Sequence, residues 1–236
     1  MSALVLGDGL LFLHGAGGRG LVWQHQMLAF PRSRAPDLPG RDGAPPEGVD
    51  EYMEAVRTAL PPARRVIAGH SLGSAIAMRW ALAYPDEVRG LILVGAGAKM
   101  RVNPVWLDGI ARREVAAIEE FGSWWFGSGA DVRLREKSLA LLRATPPAVL
   151  LADLRASDGF DVMAELGRLE LPALILCGAE DRLTPVKFSR YLHEHIRGST
   201  LEIVEGAGHM VMLEQPQATN AAIRAFLERL GGGITT

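Results

Sequence analysis

The sequence predicts an α/β protein: a mostly parallel, doubly wound sheet interrupted by an inserted helical segment. Three observations predict it. Short runs rich in Val, Leu and Ile recur, each closed by glycine, as strands buried on both faces require. Longer amphipathic segments alternate with them, which suits helical crossovers. Between Gly97 and about Leu169 the alternation lapses. A stretch of about seventy residues without a clear strand is too long for a loop in a compact domain, so helices of its own are expected there.

In chain order, a short apolar run at residues 3–6 is expected to pair antiparallel with a strand at 10–14 across Gly7-Asp8-Gly9. A weak strand is expected near residues 32–35 and a helix over 49–60. Next come a strand at 65–69 and a helix over 74–84, stopped by Pro85, which cannot continue it. A strand at 90–95 precedes the insertion, which contains Trp106, Trp124, Trp125, Phe126 and a helical pattern from Glu114 to Glu120. Strand periodicity resumes at 173–178, followed by a helix over 186–195, a last strand at 200–205 and a helix over 217–230. In that final helix Ala221, Ala222, Ala225, Phe226 and Leu230 fall at helical spacing and mark one face as core. The tail from Gly231 onward is expected to fray. The expected division is a core of residues 1–97 and 170–236 with a cap, or lid, of residues 98–169.

Composition narrows the partners. Of 236 residues, 48% are hydrophobic and 22% charged, the balance of an ordinary globular protein. A formal net charge of −2 leaves no electrostatic footprint for nucleic acid or an anionic membrane surface. The single cysteine, Cys177, lies in an apolar run and reads as a buried strand thiol, suited to a reducing compartment. Residues 1–14 lack the basic region of a signal peptide, and no apolar run approaches the roughly eighteen residues of a membrane helix. A cytoplasmic location is therefore expected.

The chemistry gathers around Gly69-His70-Ser71-Leu72-Gly73. This GxSxG run follows an apolar strand and opens a helix, the setting of a nucleophile elbow, in which the flanking glycines allow a sharp turn and a close helix start. A serine hydroxyl is a poor nucleophile near neutral pH and needs a histidine base. Of six histidines, His193 and His195 point to different helix faces, and His25 suits a surface or packing role. His14 and His70 sit too close in chain to the oxyanion loop and elbow to approach Ser71 as base. His209 remains, in a glycine-rich loop leaving the last strand at the sheet end where catalytic groups collect.

The third member should be a carboxylate on another strand end between serine and histidine. Glu180 and Asp181 follow the strand at 173–178, and Asp181 is chosen for its shorter reach to imidazole. Oxyanion donors are expected at the Leu72 N–H, free at a helix start, and at the Ala16 N–H in the loop His14-Gly15-Ala16-Gly17-Gly18.

These segments, together with Asp37-Leu38-Pro39-Gly40-Arg41-Asp42-Gly43, the acid loop GAEDRLTP and the histidine loop GAGHMVMLEQP, resemble the α/β-hydrolase superfamily over nearly the whole chain. The resemblance implies an eight-stranded sheet with a helical cap between the strands at 90–95 and 173–178. Only thirteen residues precede His14, which cuts the usual leading hairpin short and lowers the expected count to about seven. Ala16 stands where relatives often carry something larger.

A serine nucleophile separates the chain from the superfamily's aspartate-using dehalogenases and epoxide hydrolases, and His70 before it is similar to many esterases and lipases. The expected activity is hydrolysis of small-molecule carboxylic esters with small or medium apolar acyl groups, requiring no metal or cofactor. Trp106, Trp124, Trp125, Phe126, Met100 and Met210 are candidates to line an acyl pocket; the cap's own core is the alternative for its aromatics. The same residues would also serve thioester, lactone, peroxy-acid or acyl-transfer chemistry, or be retained in a ligand-binding receptor.

Overall fold

Residues 9–41 and 43–231 are described in a computed structural model of the chain. The expected run at 3–6 and the tail at 232–236 lie outside them. Five strands form one sheet: β1 (Leu10–Leu13), β2 (Arg65–His70), β3 (Val88–Val94), β4 (Ala173–Gly178) and β5 (Thr200–Val204). They are parallel throughout and lie in the order β1-β2-β3-β4-β5. The helices are α1 (Gln24–Ala29), α2 (Val49–Thr58), α3 (Leu72–Ala83), α4 (Pro104–Ala111), α5 (Val115–Ser123), α6 (Val132–Ala144), α7 (Pro147–Asp158), α8 (Val186–His195), α9 (Val211–Glu214) and α10 (Pro216–Gly231).

Both faces of the sheet are covered, and the alternation of the strands decides which residue serves which face. Leu11, Leu13, Ile67, Leu91, Leu93 and Ile175 join one apolar cluster with α2, α3 and Leu192 of α8. Their neighbours Leu10, Phe12, Val66, Ala68, Ile92 and Leu174 join the other, with Trp23, Phe30 and, from α10, Ile223 and Phe226. Each Val, Leu, Ile or Phe side chain among them contributes about 1.5–3 kcal/mol by leaving water. Helix α3 is buried nearly all round, as its run of Leu, Ala, Ile, Met and Trp requires.

The sheet among the described residues has five strands, fewer than the seven expected. The weak strand near 32–35 is reduced to one parallel bridge, Leu11 with Arg34. Arg34 N–H donates to Leu10 O (3.0 Å) and Phe12 N–H to Arg34 O (2.7 Å), but Pro36 has no N–H to extend the pairing. Between β3 and β4 the chain forms α4 to α7 and a 3-10 turn at Met163–Arg168. Asn103 caps α4 and Asp131 caps α6, each side chain accepting a backbone N–H of the first turn. Among the described residues no helix is long and apolar enough to cross a membrane.

Candidate active site

The parallel order brings every loop that leaves the C-terminal end of a strand to the same edge. At the end of β2 the backbone of Ser71 takes φ 51° and ψ −116°, a strained conformation for a residue with a side chain. Its N–H donates to Val94 O (3.0 Å), which ties the turn to β3, and its carbonyl accepts the Ser74 N–H (2.8 Å) at the start of α3. The two glycines of the run have a steric role: a Cβ on Gly69 would overlap the backbone of Gly73, and one on Gly73 would overlap the Leu13 carbonyl.

Asp181 follows β4 and His209 follows β5, and the two meet. His209 Nδ1 lies 2.8 Å from Asp181 Oδ2, with both side chains buried. Asp181 is held on every side: Oδ1 accepts the N–H groups of Leu183 (2.9 Å) and Thr184 (2.8 Å), and Oδ2 also accepts the Thr184 hydroxyl (2.8 Å). Glu180 turns elsewhere and accepts the Ser128 N–H, 2.6 Å away.

Ser71 and His209 line one cavity of about 60 Å³ together with Ala16, Trp106, Trp125 and Met210. Met100 lines it as well. Leu72 is fully buried and its side chain packs in the core, so only its backbone, directly after Ser71, is placed for the site. Trp124 and Phe126, also expected in the lining, do not border this cavity. Trp124 stands edge-on to Trp106, ring centroids 5.3 Å apart, beneath the Arg182 guanidinium at 4.0 Å. Phe126 is buried, its backbone against Gly208 and its ring facing Arg135.

Two further buried histidines hydrogen-bond to backbone groups. His14 donates from Nδ1 to Gly15 O (2.8 Å) and accepts the Leu38 N–H on Nε2 (2.8 Å). Burial, with the Arg41 charge nearby, lowers its pKa to about 3. His70 donates from Nε2 to His209 O (3.0 Å), its ring centroid 4.5 Å from that of His209, and burial likewise holds it well below the ordinary histidine range. Both stay neutral when folded and regain an ordinary affinity for protons near pH 6.5 when unfolded. The unfolded state therefore binds more protons below that pH, and stability falls as pH falls, through pH 6.5 toward about 3 for His14. The urea midpoint is expected to drop from pH 7 to 5, each histidine contributing at most about 1.4 kcal/mol per pH unit. His14→Gln, with an uncharged acceptor, should show a shallower decline; parallel profiles would contradict this assignment.

Residues 10–222 match the sequence profile of the alpha/beta hydrolase family. The chain belongs to that family. Among proteins similar to this alpha/beta hydrolase is a pimeloyl-[acyl-carrier protein] methyl ester esterase of Neisseria meningitidis, 27% identical over an alignment that covers 92% of each chain. A solved structure of a thermophilic esterase is 32% identical, with a TM-score of 0.82 over 94% of this chain and 90% of its own. Another, Est816, described as an N-acyl homoserine lactone degrading enzyme, is 25% identical with a TM-score of 0.77 over 94% of each chain.

Sequence reasoning missed several residues that hold the site of this hydrolase. Thr184, in the acid loop, braces Asp181 through its hydroxyl and its N–H. Glu214 accepts the N–H groups of Gly127 (2.8 Å) and Gly208 (2.9 Å), tying the histidine loop to the segment between α5 and α6. Burial pushes its carboxyl pKa up, and the two N–H groups offset part of that. Arg41 and Asp153 form a buried ion pair behind the loop after β1. Glu214 and Thr184 lie in the motif segments that carried the family resemblance; Asp153 lies in no motif.

Proposed function

We propose that the chain is a serine carboxylic ester hydrolase acting on small-molecule esters of small to medium apolar acyl groups through an acyl-enzyme on Ser71. The observation that carries this reading is that His209, paired with the buried Asp181, lines the same cavity as a strained Ser71. With Nδ1 engaged by Asp181, Nε2 is the ring nitrogen left to take the Ser71 proton as Oγ attacks the carbonyl. The N–H groups of Ala16 and Leu72 then receive the oxyanion, each worth about 3 kcal/mol in the transition state. The alcohol leaves with the proton from His209, and a water activated by the same imidazole hydrolyses the acyl-serine. None of these steps calls on a metal or cofactor. The esterases named above support the ester class, and Est816 favours lactones as a second reading, since a lactone is a cyclic ester opened by the same attack.

In this reading residues 98–169 act as a cap, supplying Trp106, Phe121, Trp125 and Leu154 to the cavity wall. A cytoplasmic setting is part of the same reading and is supported by the free, buried thiol of Cys177.

The test is hydrolysis of p-nitrophenyl esters from acetate to decanoate, with kcat/KM expected to peak at the short end. Trp125 stands in the wall between the catalytic cavity and a neighbouring one of about 290 Å³ lined by Leu141, Leu142 and Leu213. Trp125→Ala should join them and move the optimum to longer chains, by up to about fourfold per added methylene. An unchanged profile would remove Trp125 as the limit on chain length. Failure to turn over any ester or lactone would remove the proposed activity.

A further inference from the structure

Asp153 on α7 is fully buried, and its carboxylate serves groups far from its own helix. Oδ2 accepts the Gly17 N–H (2.9 Å) and Arg41 Nη2 (2.7 Å); Oδ1 accepts Arg41 Nη1 (3.1 Å) and the Tyr52 hydroxyl (2.5 Å). Thr145, just beyond α6, donates its hydroxyl to Gly17 O (3.1 Å), and Arg41 Nη2 also donates to Gly18 O (3.1 Å). Gly17 has φ +68°, and a Cβ there would run into Leu142 and Leu150. Both backbone polar groups of Gly17 are thus fixed, the N–H by Asp153 within α7 and the carbonyl by Thr145 at the end of α6.

A buried ion pair is a weak source of net stability, and apolar residues of similar volume often replace one without loss. What Asp153 supplies that an apolar residue cannot is an acceptor for one particular peptide. The Gly17 N–H belongs to the peptide that joins Ala16 to Gly17, and its orientation sets ψ of Ala16. Released, that peptide is free to rotate and turn the Ala16 carbonyl toward the cavity, where a negative charge develops. We infer that Asp153 is a positioning residue for the oxyanion donor at Ala16, and that α7 must be seated on the loop after β1 for that donor to be formed. The inference rests on the proposed acyl-enzyme at Ser71.

The test compares two double variants that leave no charge stranded. Asp153→Leu with Arg41→Met removes the acceptor and keeps the volume, whereas Asp153→Asn with Arg41→Met restores a neutral acceptor for Gly17. For p-nitrophenyl butyrate the first is expected to lose about 100-fold in kcat with KM within about threefold, the loss typical of one oxyanion donor. Its affinity for a butylboronic acid, which forms a tetrahedral adduct, should fall in parallel. The second should recover most of the loss at a similar thermal midpoint. Equal kcat in the two variants, whether high or low, would overturn the inference. Should the first fail to fold, Thr145→Val, which frees the Gly17 carbonyl alone, is expected to lower kcat about tenfold with KM and thermal midpoint held; an unchanged kcat would overturn it. Loss of acylation in the wild-type protein, read separately by mass, would instead count against the proposed function.

Discussion

Ser71→Ala is expected to lower kcat for p-nitrophenyl esters by at least about 10⁴-fold while leaving the fold intact. Alanine lacks the attacking oxygen, and the remaining oxyanion donors can only assist water, which leaves a small residual rate. The same position separates stability from activity. Ser71 holds φ 51° because β2, the start of α3 and the Leu13 carbonyl are packed too closely for a relaxed turn. Strain of this kind costs about 1–3 kcal/mol, so Ser71→Gly should be inactive yet unfold at a higher urea concentration than Ser71→Ala. Steady-state kinetics and urea titration of the two variants give both readings. Turnover retained in Ser71→Ala would place the nucleophile elsewhere.

Asp181→Asn is expected to cost about 10⁴-fold in kcat, the second largest effect. The reason lies in the other partners of Asp181. Its Oδ1 already receives two backbone N–H groups, from Leu183 and Thr184, so an asparagine oxygen is drawn to that side and its NH₂ is turned toward His209. The imidazole must then accept on Nδ1 and carry its proton on Nε2, the wrong tautomer for a base facing Ser71. Glu180→Gln, by contrast, should change kcat by less than about threefold, because Glu180 accepts the Ser128 N–H while the imidazole is paired with Asp181. The reverse ranking, read from kcat over pH 6 to 9, would move the acid role to Glu180.

The central strands were legible because burial on both faces forces continuous Val, Leu and Ile runs, and β4 and α8 match their expected limits. The edge of the sheet was not. Arg34 forms only a bridge, and nothing in its own residue type separates one bridging residue from a short strand. Helix α3 begins at Leu72, two residues before its expected start, because the Ser71 carbonyl already accepts the first helical N–H groups. The proposed triad could be read from order along the chain, as each member lies in a glycine-marked loop after a strand. The aromatics between β3 and β4 could not be sorted the same way: Trp124 and Trp125 are chain neighbours, yet only Trp125 reaches the cavity. Asp153 was invisible for a related reason. Its partners Gly17, Arg41 and Tyr52 are each more than a hundred residues away, and an aspartate within a helical stretch looks like any solvated charge.

The most direct test of Ser71 as the acylated nucleophile is intact-mass spectrometry after brief exposure to a fluorophosphonate or to p-nitrophenyl acetate, followed by peptide mapping. A single adduct on Ser71 is predicted, absent from Ser71→Ala and formed far more slowly in Asp181→Asn. Ester turnover with no adduct on Ser71, or an adduct on a different residue, would contradict it.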